Sequence, residues 1–233
     1  VGGAESARAD LFQGRPWIID SEGVDSDVIA KGKELIELLG GHTIDLDSSE
    51  HDKAVALVSH LPQLVASLLA KQLQGGDERW LDLAGAGLRD TTRIAESDPA
   101  LWAQIIAGNS QAILPLLINL QSDLSQVIDS LDQPAAISTL IEQGRRGRAL
   151  IPGKHGGQAR NYTYLAIVIE DKPGQLAAII ESCAKAKVNI EDLAIEHTPG
   201  QATGLITLAF SPEDSVIVAA HLQKEGWKVH PSR

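Results

Sequence analysis

The run AVALVSHLPQLVASLLA, residues 54–70, carries no Asp, Glu, Lys or Arg and sets the character of the middle of the chain. It predicts one helix from about Ser49 to Gln72 with apolar side chains on nearly every face, which is typical of a buried helix. Ser48 or Ser49 is expected to cap its first turn. Because one copy can hardly cover so much apolar surface, we expect a helical core interwoven between two copies.

The sequence after this helix remains helical in pattern. Asp98 and Pro99 are a favoured pair for the cap and the first turn of a helix. An all-α domain is therefore predicted over residues 49–144. Its further helices are expected at Glu78–Glu96, from Pro99 to about Ser130, and from Pro134 to about Gly144.

The sequence before the run predicts a βαβ unit at residues 1–48, with a strand at Arg15–Asp20, a helix at Asp25–Leu39 and a strand at His42–Leu46. Two strands alone make a poor sheet, so we expect this unit to complete a larger α/β sheet. The chain contains no methionine and opens on Val1-Gly2-Gly3, which resembles the interior of a loop. An internal start is therefore expected, with the rest of the sheet upstream.

Residues 162–233 predict a separate α+β domain. Strand and helix patterns alternate in the order βαββαβ, which is the ferredoxin-like plan. Asp171-Lys172-Pro173-Gly174 is a turn into a helix that begins at Gln175. The helix N-terminus suits a carboxylate ligand, although a simple tight turn is the alternative. Residues 145–161 are basic and rich in glycine, and they predict a linker, either a flexible hinge or an anion-contacting loop.

Composition excludes several classes of protein. The net charge of −11 over 233 residues argues against nucleic acid or an anionic membrane as a partner. Cys183 is the single cysteine, so an internal disulfide is impossible and a reducing cytoplasm is expected. We expect Cys183 to be a small buried hydrophobic residue. No segment resembles a signal peptide or a transmembrane helix.

Arg89 and Arg93 lie one helical turn apart in a stretch that is otherwise small and apolar. Residues at i and i+4 share a helix face, so both guanidinium groups point the same way. A guanidinium binds a carboxylate through two parallel hydrogen bonds, which predicts a pocket for a small carboxylate-bearing substrate. The alternative is an ordinary ion pair with Asp90, Glu96 or Asp98.

The other motifs are weaker. His51 and His60 fall on opposite faces of the predicted helix, and no other histidine has metal-ligand spacing, so no metal site is predicted. His60 is either a satisfied core residue or a site residue, and Trp102 by itself suggests packing. Gly85-Ala86-Gly87 does not follow a strand and lacks the third glycine of a nucleotide loop.

Several of these segments, taken in order, resemble the prephenate dehydrogenase family over residues 1 to about 150. Residues 162–233 resemble an ACT domain through Asp-Lys-Pro-Gly-Gln-Leu and Val188-Asn189-Ile190, and the linker segment Ile151–Gly156 resembles the one that joins the two domains in Gram-positive-type members. The segments behind the first resemblance are Gly3-Ala4-Glu5, Leu11–Trp17, His51-Asp52, Val58–Pro62 and Arg89–Pro99.

The resemblance implies oxidative decarboxylation of prephenate to 4-hydroxyphenylpyruvate with NAD or NADP. In the family, a histidine polarises the ring 4-hydroxyl while hydride leaves its carbon, and loss of carbon dioxide aromatises the ring. That histidine and the GxGxxG loop lie upstream of the matched segments, so residues 1–48 would be the C-terminal end of a nucleotide-binding domain and this chain would hold no catalytic residue. The chain alone is then expected to be inactive.

The resemblance also assigns binding residues. Arg93 matches the arginine that binds the substrate carboxylate, and the other substrate positions are Arg89, His60, Trp102 and Glu5. A homodimer is implied. The ACT resemblance implies L-tyrosine or L-phenylalanine as an effector, bound at Asp171, Gly174, Gln175, Asn189 and Ile190.

Two other functions remain open. An arogenate dehydrogenase performs the same chemistry on the amino analogue. A non-catalytic dimeric protein that senses an amino acid is favoured by the missing nucleotide loop, whereas the set of Arg93, His60 and Trp102 counts against it. The residue that would discriminate NAD from NADP is not within the chain.

Overall fold

The computed structural model describes residues 7–152, 162–197 and 202–230. The chain separates into two compact units, one formed by Val1–Ala70 with Ile94–Leu124 and the other by Lys71–Arg93 with Ser125–Arg233. The predicted domain boundaries at residues 48, 144 and 161 therefore remain predictions, since the two units divide the helical region differently.

The predicted βαβ unit is confirmed. Strands β1 (Pro16–Ile19) and β2 (His42–Asp45) pair in parallel and are connected by helix α1 (Ser26–Leu38). The Asp25 side chain caps α1 by accepting a hydrogen bond from a first-turn N–H. Gly41 must be glycine because a Cβ there would lie 2.9 Å from the indole ring of Trp17.

The two-stranded sheet leaves apolar side chains exposed. Ile18 and Ile44, in its two strands, are 40% and 41% exposed. A parallel sheet is normally covered on both faces, so this exposure is consistent with the predicted larger sheet, which remains a prediction.

The long helical segment Ser48–Gly75 comprises α2 (Ser48–Val55), a π-helical turn (Ala56–His60), α3 (Leu61–Gln72) and a final 3₁₀ turn. Pro62 has no N–H and its ring crowds the carbonyl four residues earlier, which explains why the helix widens here. The Leu61 N–H accordingly bonds to the Ala56 carbonyl. The cap is Asp47 rather than Ser48 or Ser49, because its carboxylate accepts from the Glu50 N–H at 2.8 Å.

The prediction that this helix is buried on all sides is wrong within one copy of the chain. Leu57, Val58 and Leu68 are each more than half exposed. By length and composition alone the segment could also span a membrane. A helical core shared between two copies leaves the same apolar surface open in a single copy.

The predicted helix over Glu78–Glu96 is instead broken into α4 (Glu78–Leu81), α5 (Ala86–Thr92) and a 3₁₀ turn at Arg93–Ala95. Gly85 adopts an extended backbone at the start of α5. Glycine inside a helix is about 1 kcal/mol less favourable than alanine, which favours a break beside Gly85.

The predicted helix from Pro99 to Ser130 is also two helices, α6 (Pro99–Gly108) and α7 (Ser110–Asp129). They meet at a bend of 95°. Asn109, at the bend, has non-helical backbone angles and follows a glycine. The predicted cap at Asp98 is confirmed, since its side chain accepts from the Leu101 N–H at 2.7 Å.

Helix α8 (Pro134–Ala149) continues five residues beyond the predicted end at Gly144. Glu142 forms ion pairs with Arg145 and Arg146 at spacings i+3 and i+4, which support the last turns. The beginning of the predicted linker is therefore helical. Its residues 153–161 lie outside the described part of the chain.

The predicted βαββαβ order is confirmed in the C-terminal region. The elements are β3 (Thr163–Glu170), α9 (Gln175–Lys185), β4 (Asp192–His197), β5 (Thr203–Phe210), α10 (Pro212–Lys224) and β6 (Lys228–His230). They form an antiparallel sheet in the order β4-β5-β3-β6, as in ferredoxin-like folds. The strand predicted from Val188 begins only at Asp192, because the chain first turns through Lys187 with a positive φ of 57°.

The core of this domain lies between the sheet and its two helices. Cys183 is 1% exposed within it, as predicted, and burial raises the pKa of its thiol to about 11. The fully buried members are Ile167, Ile179, Ile206, Leu208, Phe210, Val218 and Leu222.

Candidate functional site

His60 and Trp102 are brought together within the first unit. His60 ends the π-helical turn and is 8% exposed, while Trp102 lies on α6 and is half-buried. Their rings meet edge to face with centroids 6.2 Å apart and planes at 85°. This edge-to-face geometry is favourable for two aromatic rings. It places the His60 imidazole, which can form hydrogen bonds, beside the large apolar surface of the Trp102 indole.

Asn109 joins this pair, and the sequence did not single it out. Its Nδ2 donates to the main-chain carbonyl of Asp52 at 2.8 Å and lies 3.2 Å from Nδ1 of His60. The signal in the sequence was a lone Gly-Asn pair inside an apolar helical pattern. The prediction of one continuous helix missed the contact of Asn109 with His60, because Asn109 reaches His60 only through the bend between α6 and α7.

Two cavities adjoin these residues. One has a volume of about 450 Å³, a size that suits a small ligand, and Trp102 is in its wall. The other is larger, with a volume of about 770 Å³, and Asp52, Lys53 and Asn109 line it. His60 therefore contacts one residue from the wall of each cavity.

The smaller cavity has a polar wall that the sequence also did not reveal. Gln63 is 6% exposed and its Nε2 lies 3.4 Å from the Ser67 hydroxyl. Ser97 donates its hydroxyl to the Ile94 carbonyl at 2.6 Å. These groups and the ring of Trp102 combine apolar surface with a few polar atoms, as small-molecule sites do.

Arg89 and Arg93 lie in the second unit. Arg89 is in α5, and Arg93 follows with helical backbone angles, so the two remain one turn apart. Both are exposed, and neither forms an ion pair with any residue that the structure describes. The predicted alternative, a pair with Asp90, Glu96 or Asp98, is therefore wrong. Two uncompensated guanidinium groups remain available for an anion.

The connection between β1 and α1 is not a dinucleotide-binding loop. The connection from β1 to α1 carries Asp20, Glu22 and Asp25 with one glycine, where a phosphate-binding loop would need several glycines. Asp20 accepts from the N–H groups of Glu22 and Ser48, and the backbone bonds lower the pKa of its carboxyl. Carboxylates fixed in this connection would repel a pyrophosphate, so the connection does not fit a dinucleotide.

The remaining predictions concern Glu5 and a metal site. Glu5 lies outside the described residues. Among the residues described, no group of three or more His, Cys, Asp or Glu side chains is placed to hold a metal ion.

The five predicted effector residues do not form one cluster within a single copy. Gly174, with φ of +90°, precedes α9, and the Asp171 N–H bonds to the Ala202 carbonyl near the end of β3. Asn189 instead donates to Glu191 at 2.9 Å, just before β4.

The strand register places the two groups at opposite ends of the sheet. Asp192 is paired with Ala209, which pairs with Tyr164 at the beginning of β3, whereas Asp171 follows the end of that strand. The five residues therefore fall into two groups within a single copy, and their role in binding an effector remains a prediction. The first group is Asp171, Gly174 and Gln175, and the second is Asn189 and Ile190.

Comparison with known proteins gives the family context. Residues 47–142 match the family model described as "Prephenate dehydrogenase, dimerization domain". The chain is 27% identical to a probable prephenate dehydrogenase, NovF, of Streptomyces niveus, over 97% of this chain and 66% of that protein. It is 24% identical to the prephenate dehydrogenase of Bacillus subtilis strain 168, over 91% of this chain and 59% of that protein. The chain thus spans about two thirds or less of the length of these relatives.

A solved structure agrees. Synechocystis arogenate dehydrogenase matches with a TM-score of 0.56 and 28% identity, over 63% of this chain and 57% of that one. The matched helical region contains His60, Arg89, Arg93 and Trp102, all within residues 47–142. On this evidence the helical region at residues 47–142 is similar to the dimerisation domain of the prephenate dehydrogenase family.

Proposed function

We propose that this chain is the substrate-binding and dimerisation part of a prephenate dehydrogenase, which converts prephenate to 4-hydroxyphenylpyruvate with loss of carbon dioxide. The observation that carries the proposal is the pair of exposed, unpaired guanidinium groups of Arg89 and Arg93 inside a matched dimerisation domain. Prephenate is a dicarboxylate, and an arginine fork is the side chain best suited to a carboxylate.

Each residue has a specific role in this proposal. Arg93 binds a substrate carboxylate and Arg89 adds positive potential on the same helix face. His60 donates a hydrogen bond to a substrate oxygen, and the ring of Trp102 covers the apolar face of the substrate ring. Glu5 is a further pocket residue.

NAD or NADP is the proposed hydride acceptor. Aquifex aeolicus prephenate dehydrogenase, 24% identical with a TM-score of 0.54, has been solved with hydroxyphenyl propionate and NAD⁺, and at this identity the likeness shows the fold alone. The proposal names no cofactor-binding residue and no general base among the described residues, since the segment between β1 and α1 is not a glycine-rich dinucleotide loop.

The proposed assembly is a cytoplasmic homodimer. The apolar residues left exposed along Ser48–Gly75 and the match to a dimerisation domain support a shared helical core. We further propose that residues 162–233 are an ACT domain that binds L-tyrosine or L-phenylalanine. Because its effector residues lie at two ends of the sheet, a site that uses both groups requires two copies of the domain.

Arogenate dehydrogenase is the second candidate, and the similarity to the Synechocystis enzyme favours it. The two substrates differ at one group, since prephenate carries a ketone where arogenate carries an ammonium. The test is to compare kcat/KM of the intact protein for the two substrates. A higher value for prephenate supports the proposal, a higher value for arogenate supports the second candidate, and no turnover of either favours an amino-acid sensor.

A further inference from the structure

The Asn109 side chain forms a contact between two helical segments at the bend where α6 ends and α7 begins. Its amide nitrogen lies 2.8 Å from the carbonyl oxygen of Asp52 and 3.2 Å from Nδ1 of His60. One NH₂ group therefore faces two partners, and it carries one hydrogen for each of them.

The carbonyl of Asp52 fixes which way the amide points. A main-chain carbonyl can only accept a hydrogen bond, so the Asn109 atom that lies 2.8 Å from it must be the nitrogen. A flipped amide would place two acceptor oxygens at that distance and lose the hydrogen bond to the Asp52 carbonyl. The orientation thus follows from the partner and not from the assignment of atoms.

The fixed amide in turn determines the protonation of His60. The second Nδ2 hydrogen faces Nδ1 of the imidazole, so Nδ1 must be the acceptor and carry no proton. In a neutral imidazole the single proton then sits on Nε2. The edge of Trp102 packs against the same ring, and the π-helical turn that ends at His60 sets where the ring lies.

We infer that Asn109 is a positioning residue that holds His60 as the Nε2–H tautomer, so that His60 serves the substrate as a hydrogen-bond donor and not as a base. This inference rests on the proposed function, because it assigns the role of His60 within that site. An Nε2–H donor matches a carbonyl or carboxylate oxygen, which are the acceptors that prephenate offers.

The test is nitrogen-15 NMR of the intact protein with labelled histidine, in which the ring-nitrogen shifts separate the two tautomers. The His60 signals are assigned by their loss in His60→Gln. The expected wild-type result is a protonated Nε2 with a bare Nδ1. A wild-type ring that carries its proton on Nδ1 at neutral pH overturns the inference.

Asn109→Asp supplies the decisive comparison, because the carboxylate has the shape of the amide but no donor. We expect the proton to move to Nδ1 of His60 in this variant, and an unchanged tautomer would overturn the inference. If the aspartate variant does not fold, Asn109→Ala takes its place, because it removes the amide altogether. In Asn109→Ala we expect a mixture of the two His60 tautomers. The matched control is Asn119→Asp, at an exposed asparagine of α7, which should leave His60 unchanged.

Kinetics provide the second measurement. Asn109→Ala should raise KM for prephenate about tenfold and leave kcat within about twofold, because a binding donor is lost while the reacting groups remain. An unchanged KM contradicts the positioning role. If the tautomer shifts as expected but the intact protein turns over no prephenate, the positioning role stands and the proposed function fails.

Discussion

Replacing Arg93 with alanine should weaken substrate binding and leave the fold unaffected. Arg93 is exposed and makes no ion pair among the residues described, so the free protein loses no internal partner. A surface substitution of this kind changes the free energy of unfolding by no more than about 0.5 kcal/mol. Any larger effect must therefore come from the ligand.

The expected loss in binding is that of a charged hydrogen-bonded pair. Removing one partner and leaving a substrate carboxylate uncompensated costs about 2–4 kcal/mol, which corresponds to a weakening of prephenate binding by about 30- to 900-fold. Arg93→Lys keeps the charge but not the planar fork, so it should recover only part of the loss.

The assay is titration calorimetry of the intact protein with prephenate, together with thermal unfolding of each variant. The matched control is Arg79→Ala, since Arg79 is also exposed but already bonds to Asp77. The reasoning is refuted if Arg93→Ala binds prephenate as tightly as wild type. It is equally refuted if Arg79→Ala and Arg93→Ala weaken binding by the same amount.

Three further predictions concern stability and reactivity. Phe210→Ala should destabilise the C-terminal domain by about 3–5 kcal/mol in chemical denaturation, because the ring is fully buried; a change under 1 kcal/mol would contradict this. Cys183, with its thiol pKa raised to about 11, should react with a thiol reagent at neutral pH only after unfolding, and rapid labelling of the native protein would disagree. Hydrogen bonds from Arg145 and Arg146 lower the pKa of Glu142 to about 2, below its ordinary value of 4.5. The contribution of ionised Glu142 to stability should be complete above about pH 4.5 and should disappear as the pH falls through 2. A carbon-13 NMR titration of the Glu142 carboxyl measures this pKa. A titration midpoint near 4.5 would exclude the ion pairs.

The sequence predicted the elements whose signals are local. The βαβ unit, the cap at Asp98 and the order of the ferredoxin-like domain all follow from caps, turns and hydrophobic period, and the structure confirms them. The buried position of Cys183 also follows from its apolar surroundings.

The sequence failed where a break depends on backbone geometry and not on hydrophobic period. Gly85 and Asn109 each interrupt a helix within a sequence that remains apolar on both sides. The helices predicted at Glu78–Glu96 and from Pro99 to about Ser130 are therefore shorter helices in the structure. The last turns of α8 contain two glycines and the ion pairs of Glu142 with Arg145 and Arg146, whose contribution hydrophobic period does not reveal.

The candidate site was predicted only in part for the same reason. His60 and Trp102 are 42 positions apart, and nothing local in the sequence indicates that they touch. The contact of Asn109 with His60 depends on the 95° bend, which tertiary packing determines. The sequence also did not indicate that the two segments matched to an ACT domain lie at opposite ends of the sheet, because strand register decides this.

The most direct test of the account is to identify the products when the intact protein is incubated with prephenate and NAD⁺ or NADP⁺. The account predicts 4-hydroxyphenylpyruvate, carbon dioxide and reduced nucleotide in equal amounts, and a much lower rate with Arg93→Ala. Prephenate that is recovered unchanged with both nucleotides, from an intact protein that is folded and dimeric, would contradict it.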